Sequence, residues 1–589
     1  MKILLVAINS KYIHTNLAVR ALRAYADAAS RAVQGGDACV EIAEWNANIP
    51  AHTMVRGIAE QKPDAVLFSV YIWNRDLCAR VAADVRVIFP ALIIGAGGPE
   101  VSYSAQTFLE TEPAFDCVFC GEGERTLTEW IDTLSLNGAS ALPLIAGVVT
   151  RSRDGESRIT SGGVREPIES LDEIPFPWRE EELDEHRIVY YESSRGCPYS
   201  CSYCLSSIEK SVRFLSLERV YADLAWFMEK RVPLVKFVDR TFNLDRRRYQ
   251  AIWEYIAQNW NGSTVFHFEI AGEILDEESF SVMERIGEGA IQFEIGIQST
   301  NARTLSACGR SVQTEMLFKN IRKIPRTIHC HVDLIAGLPY EDLASFERSF
   351  NEVWDLEADM LQLGFLKILS GTSMESFALN TKGYRWSRHC PYEVMESPWL
   401  TREELYLLKD VEHLVDSWFN SSLARNTLLF LAQEGSSSAF TLFVRLAAFV
   451  RSFFPDGDLF LPRRPSATFE CLAAFIATLS PIVAASALER LKLDFLLLGK
   501  PGTVPAWFIR RYSRDAHDAA LTAQGLLDAA EGAHAPSRRT VYARSEWEAL
   551  DLDGKDGVRS GYLFVYPEAG GAKKVSGSTI MYYTGAIRS

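Results

Sequence analysis

The chain has 589 residues, of which 48% are hydrophobic and 23% charged, so apolar material suffices for several cores. The length predicts two to four domains. A net charge of −15 and an isoelectric point near 5.3 argue against a broad nucleic-acid-binding surface and favour a small molecule or peptide as substrate.

The first nine residues, MKILLVAIN, turn polar too soon for a secretory signal and read as a strand. Residues 1–150 alternate short apolar runs (2–8, 39–45, 64–70, 91–97 and 115–120) with helix-forming stretches such as NLAVRALRAYADAA. That alternation predicts a doubly wound parallel sheet, with ligand over the carboxyl ends of its strands. The loops at those ends are NSKYIHTN, YIWN, GAGGPEVSY and GEGE. Gly95 and Gly97 do not make a dinucleotide fingerprint, because Glu100 stands where its third glycine belongs. Cys117 and Cys120 have the spacing of a metal pair but fall in a buried run and read as core.

The arrangement resembles a cobalamin-binding domain. The resemblance implies a ligand face of Ser69, Tyr71, Trp73 and Asn74, then Gly95, Gly97, Gly98 and Pro99, then Glu122, Gly123 and Glu124. Core packing competes as an account of the two aromatic rings. That fold can present a histidine to cobalt in a D-x-H-x-x-G motif. Here the loop reads Tyr12-Ile-His14-Thr-Asn-Leu17, which lacks both the Asp and the Gly. His14 is therefore either a cobalt ligand without its orienting carboxylate or a loop histidine that hydrogen-bonds nearby. A cobalamin with no protein ligand beneath it suits the altered motif.

Residues 151–185, rich in Arg, Asp, Gly and Ser and ending IPFPW, read as a linker. Then comes the strand RIVYYESS and, at once, Cys197-x3-Cys201-x2-Cys204. The chain has eleven cysteines. Cys39, Cys78, Cys308 and Cys471 sit singly in apolar or helical patterns, and Cys330 and Cys390 are isolated. This usage points to a reducing cytoplasm and against disulfides. Structural zinc takes four protein ligands, and no His or Cys follows Cys204 within twenty residues. Three local thiolates instead suit an iron–sulfur cluster with one iron left open to chemistry.

The three-cysteine loop after a strand, entered by Arg195-Gly196-Cys197-Pro198 and carrying Tyr203 before its last cysteine, resembles that of the radical S-adenosylmethionine enzymes. The resemblance implies a 4Fe-4S cluster whose open iron is chelated by S-adenosylmethionine, reductive cleavage to a 5′-deoxyadenosyl radical, and an electron donor such as flavodoxin or ferredoxin. Further strands are predicted at 234–239, 264–272, 290–299, 329–339 and 360–369, with helices between. Six β/α repeats predict an open partial barrel over 186–395, with its active groups at the strand carboxyl ends. By the resemblance, Asp239 faces the methionyl amino group, Gln298 and Ser299 the ribose or carboxylate, Ile335, Gly337 and Leu338 the adenine, and the Tyr203 backbone the adenine edge. Asn243 and Glu273 also end strands. For each polar residue the alternative is a cap at a strand-to-helix turn.

Together the two halves resemble the cobalamin-dependent radical S-adenosylmethionine enzymes, whose commonest activity is methyl transfer to an unactivated carbon or to phosphorus. Other readings are a ring-forming or rearranging enzyme that binds cobalamin or uses the first domain as scaffold, and a non-catalytic iron–sulfur carrier or sensor. Residues 396–589 read as mainly helical with a few terminal strands, and resemble the C-terminal domain of an uncharacterised subgroup of the class. Within them, 471–488 is the most membrane-like stretch; Pro481 and the amphipathic LERLKLDFLLLG favour a buried helix pair over a spanning segment.

Overall fold

The computed structural model describes residues 1–138, 142–152, 158–310, 312–434, 438–523, 542, 544–552, 559–566 and 579–587. They form two compact units, one of residues 1–349 and 364–405, the other of 350–363 and 406–589.

The first unit opens with β1 (Lys2–Asn9), β2 (Cys39–Asn46), β3 (Ala65–Ser69), β4 (Ile93–Gly97), β5 (Cys117–Phe119), β6 (Val148–Arg151) and β7 (Ile159–Ser161). The sheet runs in the order β2-β1-β3-β4-β5-β6-β7. The first five strands pair in parallel. Their continuous apolar runs follow from burial on both faces. Ile3, Leu5 and Ala7 pack with the helices Leu17–Ala29 and Glu124–Asn137, while Leu4, Val6 and Ile8 pack with Ala51–Gln61 and Arg75–Ile88. Cys117 is a fully buried core thiol and Cys120, just past β5, is half-buried. The sheet departs from the expected all-parallel form at one edge. There β6 and β7 join it antiparallel, and β7 lies inside the segment read as linker. β7 is three residues, ITS, with no buried position, so hydrophobic patterning leaves no trace of it.

The same unit continues with β8 (Val189–Tyr191), β9 (Ser194–Arg195), β10 (Arg213–Phe214), β11 (Leu234–Phe237), β12 (Val265–Ile270), β13 (Ile291–Gln298) and β14 (His329–Ala336); β15 (Met360–Phe365) follows. A six-stranded sheet runs in the order β15-β14-β13-β12-β11-β8, with parallel pairing from β8 through β14. This is the expected partial barrel. Along β13 the burial alternates strictly: Ile291, Phe293, Ile295 and Ile297 are buried, and the residues between them are half-buried. β9 and β10 pair antiparallel and bracket the cysteine loop.

The second unit contains the helices Arg425–Glu434, Ala439–Phe453, Pro465–Ile476 and Pro481–Leu497, and a three-stranded antiparallel sheet of Ser545–Leu550, Arg559–Val565 and Thr579–Ile587. The membrane-like stretch is divided between two helices, the second opening with Pro481 at its first turn. Among the described residues no helix is long and apolar enough to cross a membrane.

Candidate active site

Gly196 enters the cysteine loop at φ +102°, and a Cβ there would lie 2.0 Å from the Ser211 carbonyl oxygen, so only glycine fits. Cys197 and Cys201 are buried and Cys204 half-buried, and all three thiols are free. The Cys197 N–H donates to the Glu209 carbonyl at 3.1 Å, and the Cys204 N–H to the Cys201 carbonyl at 3.1 Å. The Cys197 Sγ lies 3.9 Å from the Thr241 hydroxyl, just beyond the carboxyl end of β11. Among the described residues no three His, Cys, Asp or Glu side chains converge on one point as they would around a single metal ion.

Against this loop lies a cavity of about 150 Å³, reached by Tyr199 and Thr241. The barrel contributes Arg240, Glu269, Glu273, Gln298, Arg310 and Asp333, with Glu294 beside them. A bulge between Gly296 and Gln298 interrupts the β13–β14 register, and Gln298 sits at φ +72°, unusual for a residue with a Cβ. The distortion places Gln298 in the cavity lining, with its Oε1 buried and unpartnered. Glu273 Oε2, Arg310 Nε and Asp333 Oδ1 are likewise buried without a partner. Arg310 is anchored through Nη2, which donates to the Gly296 carbonyl.

Beneath this rim the barrel interior is ionic. Glu294 accepts from Lys236 Nζ at 2.9 Å and from His267 Nε2 at 3.0 Å. Burial works against its ionisation, but the His267 hydrogen bond and the Lys236 charge prevail and hold its carboxyl at about 2. Burial pushes Asp333 well above the usual carboxylate range, and the charges of Glu294 and Glu269 add to the shift.

The structure sorts the residues singled out from sequence. Gln298 lines the cavity. Tyr203 has a buried hydroxyl beside Arg310, and burial pushes its pKa up so that it stays neutral. Asp239 does not line the cavity: it is 1% exposed, and its carboxylate accepts from the Ser193 N–H at 2.7 Å, the Ser193 hydroxyl at 2.6 Å and the Ser194 hydroxyl at 2.7 Å. Asn243 is spent on the Ala271 backbone. The Ser299 hydroxyl donates to Glu341 at 2.6 Å. Leu338 is fully buried, Ile335 half-buried, and Gly337 takes φ +91°. Arg240, Glu269, Glu294, Arg310 and Asp333 are cavity residues that sequence reading passed over. For Glu269, Glu294 and Asp333 the signal was charge within the runs HFEI, FEIG and HVDL, where a one-sided strand puts its inner face; Arg240 and Arg310 lie outside the strands and carried no such signal.

In the first domain, Tyr71 and Trp73 stack at 4.4 Å; Trp73 is 46% exposed and Tyr71 half-buried. Asn74 is buried and straps the loop down, donating to the Ile8 and Ser69 carbonyls and accepting from the Tyr71 N–H. The Ser69 hydroxyl accepts from Asn16 at 3.3 Å. Gly98 has φ +114°, and a Cβ would meet the Val70 carbonyl oxygen at 2.4 Å. Gly95 and Gly123 are demanded by packing, against Leu67 and Cys117 and against Leu22, whereas Gly97 is roomy. Pro99 begins a short helix in which Glu100 accepts from the Tyr392 hydroxyl at 2.5 Å. Glu122 and Glu124 turn toward the cysteine loop: Arg195 pairs with both, at 3.2 and 2.9 Å, and Arg213 with Glu122 at 2.6 Å. His14 Nδ1 lies 2.6 Å from the Tyr190 hydroxyl of β8.

Comparison with known proteins accords with this geometry. Residues 3–131 match the B12 binding domain, 191–353 the Radical SAM superfamily, and 381–547 a protein family of unknown function, DUF4080. An uncharacterized methyltransferase of Pyrococcus horikoshii is 25% identical over 314 residues, 51% of this chain and 66% of its own length. The cobalamin-dependent radical SAM methyltransferase TokK of Streptomyces tokunonensis is 26% identical over 317 residues, 50% of this chain and 45% of its own. The chain thus spans about half to two thirds of the length of these relatives. The structure of the cobalamin-dependent radical enzyme OxsB with aqua-cobalamin and S-adenosylmethionine bound superposes with a TM-score of 0.58 at 15% identity, over 84% of this chain and 79% of that one, a likeness of fold. The chain therefore joins a B12 binding domain to a radical SAM domain. It is similar in sequence to cobalamin-dependent radical SAM methyltransferases, and its B12 binding and radical SAM domains imply a 4Fe-4S cluster, S-adenosylmethionine and cobalamin.

Proposed function

We propose that this chain transfers a methyl group to an unactivated carbon of a small molecule or peptide, with Cys197, Cys201 and Cys204 holding the cluster. The observation that carries the reading is the set of buried, unpartnered polar atoms on Glu273, Gln298, Arg310 and Asp333 around one cavity against the cysteine loop. Buried polar groups without partners are rare, and a set of them facing one space marks a ligand. An acid for an ammonium, a guanidinium for a carboxylate, and an amide and a second acid for hydroxyls complement the polar groups of S-adenosylmethionine. Three free thiols within one eight-residue loop, two buried and one half-buried, suit a cuboidal cluster, which takes each thiolate on a different iron.

When bound, the cluster supplies the electron that cleaves S-adenosylmethionine, and cobalamin carries the methyl group. The chain's own part is binding and placement. Gln298 and Arg310 orient one ligand at the barrel rim, and the Glu294–Lys236–His267 set keeps the charge beneath it fixed. In the first domain, the stacked pair of half-buried Tyr71 and exposed Trp73, with the roomy Gly97, offers an apolar seat for the corrin ring. His14 Nδ1 meets the Tyr190 hydroxyl and its Nε2 stays open among the described residues, so cobalamin binding without a histidine ligand rests on the altered motif alone. The reduced thiols fit a cytoplasmic enzyme served by flavodoxin or ferredoxin, and the acidic charge fits a partner that is neither nucleic acid nor membrane.

Anaerobically reconstituted protein tests this reading. It is expected to form S-adenosylhomocysteine together with 5′-deoxyadenosine, and to convert a metabolite in cell extract to a species heavier by one methylene. 5′-Deoxyadenosine without S-adenosylhomocysteine would replace methyl transfer by a rearrangement or ring closure.

A further inference from the structure

Among the described residues, one cation at the cavity rim lacks a counterpart. Arg240 is exposed, lies just beyond β11, and lines the cavity beside Thr241, whose hydroxyl touches the Cys197 thiol. Arg310, the other guanidinium of the lining, is anchored to the Gly296 carbonyl, and Lys236 is paired with Glu294. Among the described residues the Arg240 guanidinium takes part in no ion pair and no hydrogen bond. An ordinary surface arginine is also unpaired, but it looks onto bulk solvent. The charge of Arg240 instead acts on Glu269 inside the barrel and on Tyr71 and Tyr103 of the B12 binding domain, opposing in each case the burial that raises their pKa values. It lines the cavity just beyond β11, beside the cysteine loop.

From this placement we infer that Arg240 is a substrate-specificity residue, and that the substrate presents an oxyanion, a carboxylate or a phosphate, to its guanidinium. The inference rests on the reading of the cavity given above and adds the chemical class of the substrate. Arginine is well suited to hold such a group, because its planar fork pairs two N–H donors with two oxygens and stays charged at any working pH. The sequence places Arg240 beside Asp239, whose carboxylate is already taken by Ser193 and Ser194, so no neighbour on its own turn neutralises it. Glu269, which shares the cavity lining, forms no ion pair with Arg240 among the described residues and is itself pushed toward its neutral form by burial and by Glu294.

The experiment uses the reconstituted full-length protein, carrying cluster and cobalamin, in the presence of S-adenosylmethionine. Binding of inorganic phosphate is followed by broadening of its ³¹P resonance, and acetate is titrated as competitor at constant ionic strength. Saturable phosphate binding is expected, weakened at least tenfold in Arg240→Gln and abolished in Arg240→Glu. Displacement by acetate at comparable concentration marks the site as one for carboxylates; resistance to acetate marks it as one for phosphates. Phosphate and acetate both failing to bind the native protein, or binding equally well to Arg240→Gln, overturns the inference. Cluster absorbance and the far-ultraviolet spectrum of each variant show that it is folded. 5′-Deoxyadenosine formation by the native protein is measured on the same preparation: its absence overturns the functional reading, whereas its presence with unaltered anion binding in Arg240→Gln overturns only the role of Arg240.

Discussion

Asp239 is the residue for which sequence and structure give the most different accounts, and replacing it separates them. Its carboxylate accepts three hydrogen bonds of 2.6–2.7 Å at a site 1% exposed, tying β8's exit at Ser193 and Ser194 to the end of β11. Asp239→Ala strands three buried donors. At about 1–1.5 kcal/mol for each bond, less the cost of burying a carboxylate that the native protein bears, the net loss is about 3 kcal/mol. Asp239→Asn keeps one acceptor oxygen, and the serine hydroxyls can turn to accept from its amide, so about 1 kcal/mol is expected. In a unit of this size the Ala loss lowers the melting temperature by roughly 5 °C. The assay pairs anaerobic thermal scans with calorimetric titration of S-adenosylmethionine into reconstituted protein. Stability is expected to fall in the order Asn, Ala, with ligand affinity of the Asn variant within about threefold of native. An Asn variant that melts like the native protein yet binds S-adenosylmethionine tenfold more weakly would refute the reasoning and return Asp239 to the ligand.

Other consequences follow from the same structure. Replacing Cys197, Cys201 and Cys204 together with Ala is expected to remove the visible absorbance of the cluster and all 5′-deoxyadenosine formation; retention of either denies them the cluster. Glu341 is buried against the hydroxyls of Ser299 and Ser349, and burial raises its carboxyl from 4.5 to about 7. An acid raised on folding contributes stability in full below 4.5 and loses it as pH rises through 7, here about 3 kcal/mol in all. The urea midpoint is therefore expected to fall between pH 5 and pH 8, and Glu341→Gln to flatten that fall; an unchanged slope in the variant sinks the assignment. At Gly98, φ +114° and the Val70 carbonyl 2.4 Å from any Cβ leave no room, so Gly98→Ala is expected to cost about 1–3 kcal/mol and to release cobalamin during desalting. Full retention of the corrin would show that this turn does not shape its seat.

The parts of the fold that bury apolar runs were open to sequence reading, because a strand covered on both faces must be apolar throughout and one covered on one face must alternate. That is why β1 through β5 and the six barrel strands were found in order, while β7 (ITS, unburied) was not. The cysteine loop was legible because thiolate chemistry fixes residue type and spacing within eight positions. Roles that depend on which way a polar side chain turns were not legible. Asp239 and Gln298 both end strands and look alike in sequence. The pair of serines at the exit of β8 claims the first, and a one-residue bulge at Gly296 turns the second inward. Glu122 and Glu124 show the same limit from the other side. Their strand end belongs to the B12 binding domain, yet both carboxylates are spent on Arg195, one residue before the glycine that opens the cysteine loop. The loops that would hold the two cofactors are thus joined by salt bridges between groups 17% exposed or less, within a cluster in which Arg195 also pairs with Glu192 and Glu122 with Arg213. Disturbing Glu124 is accordingly a perturbation of the cysteine loop as much as of the B12 binding domain, although Glu124 and Arg195 are 71 residues apart in the chain.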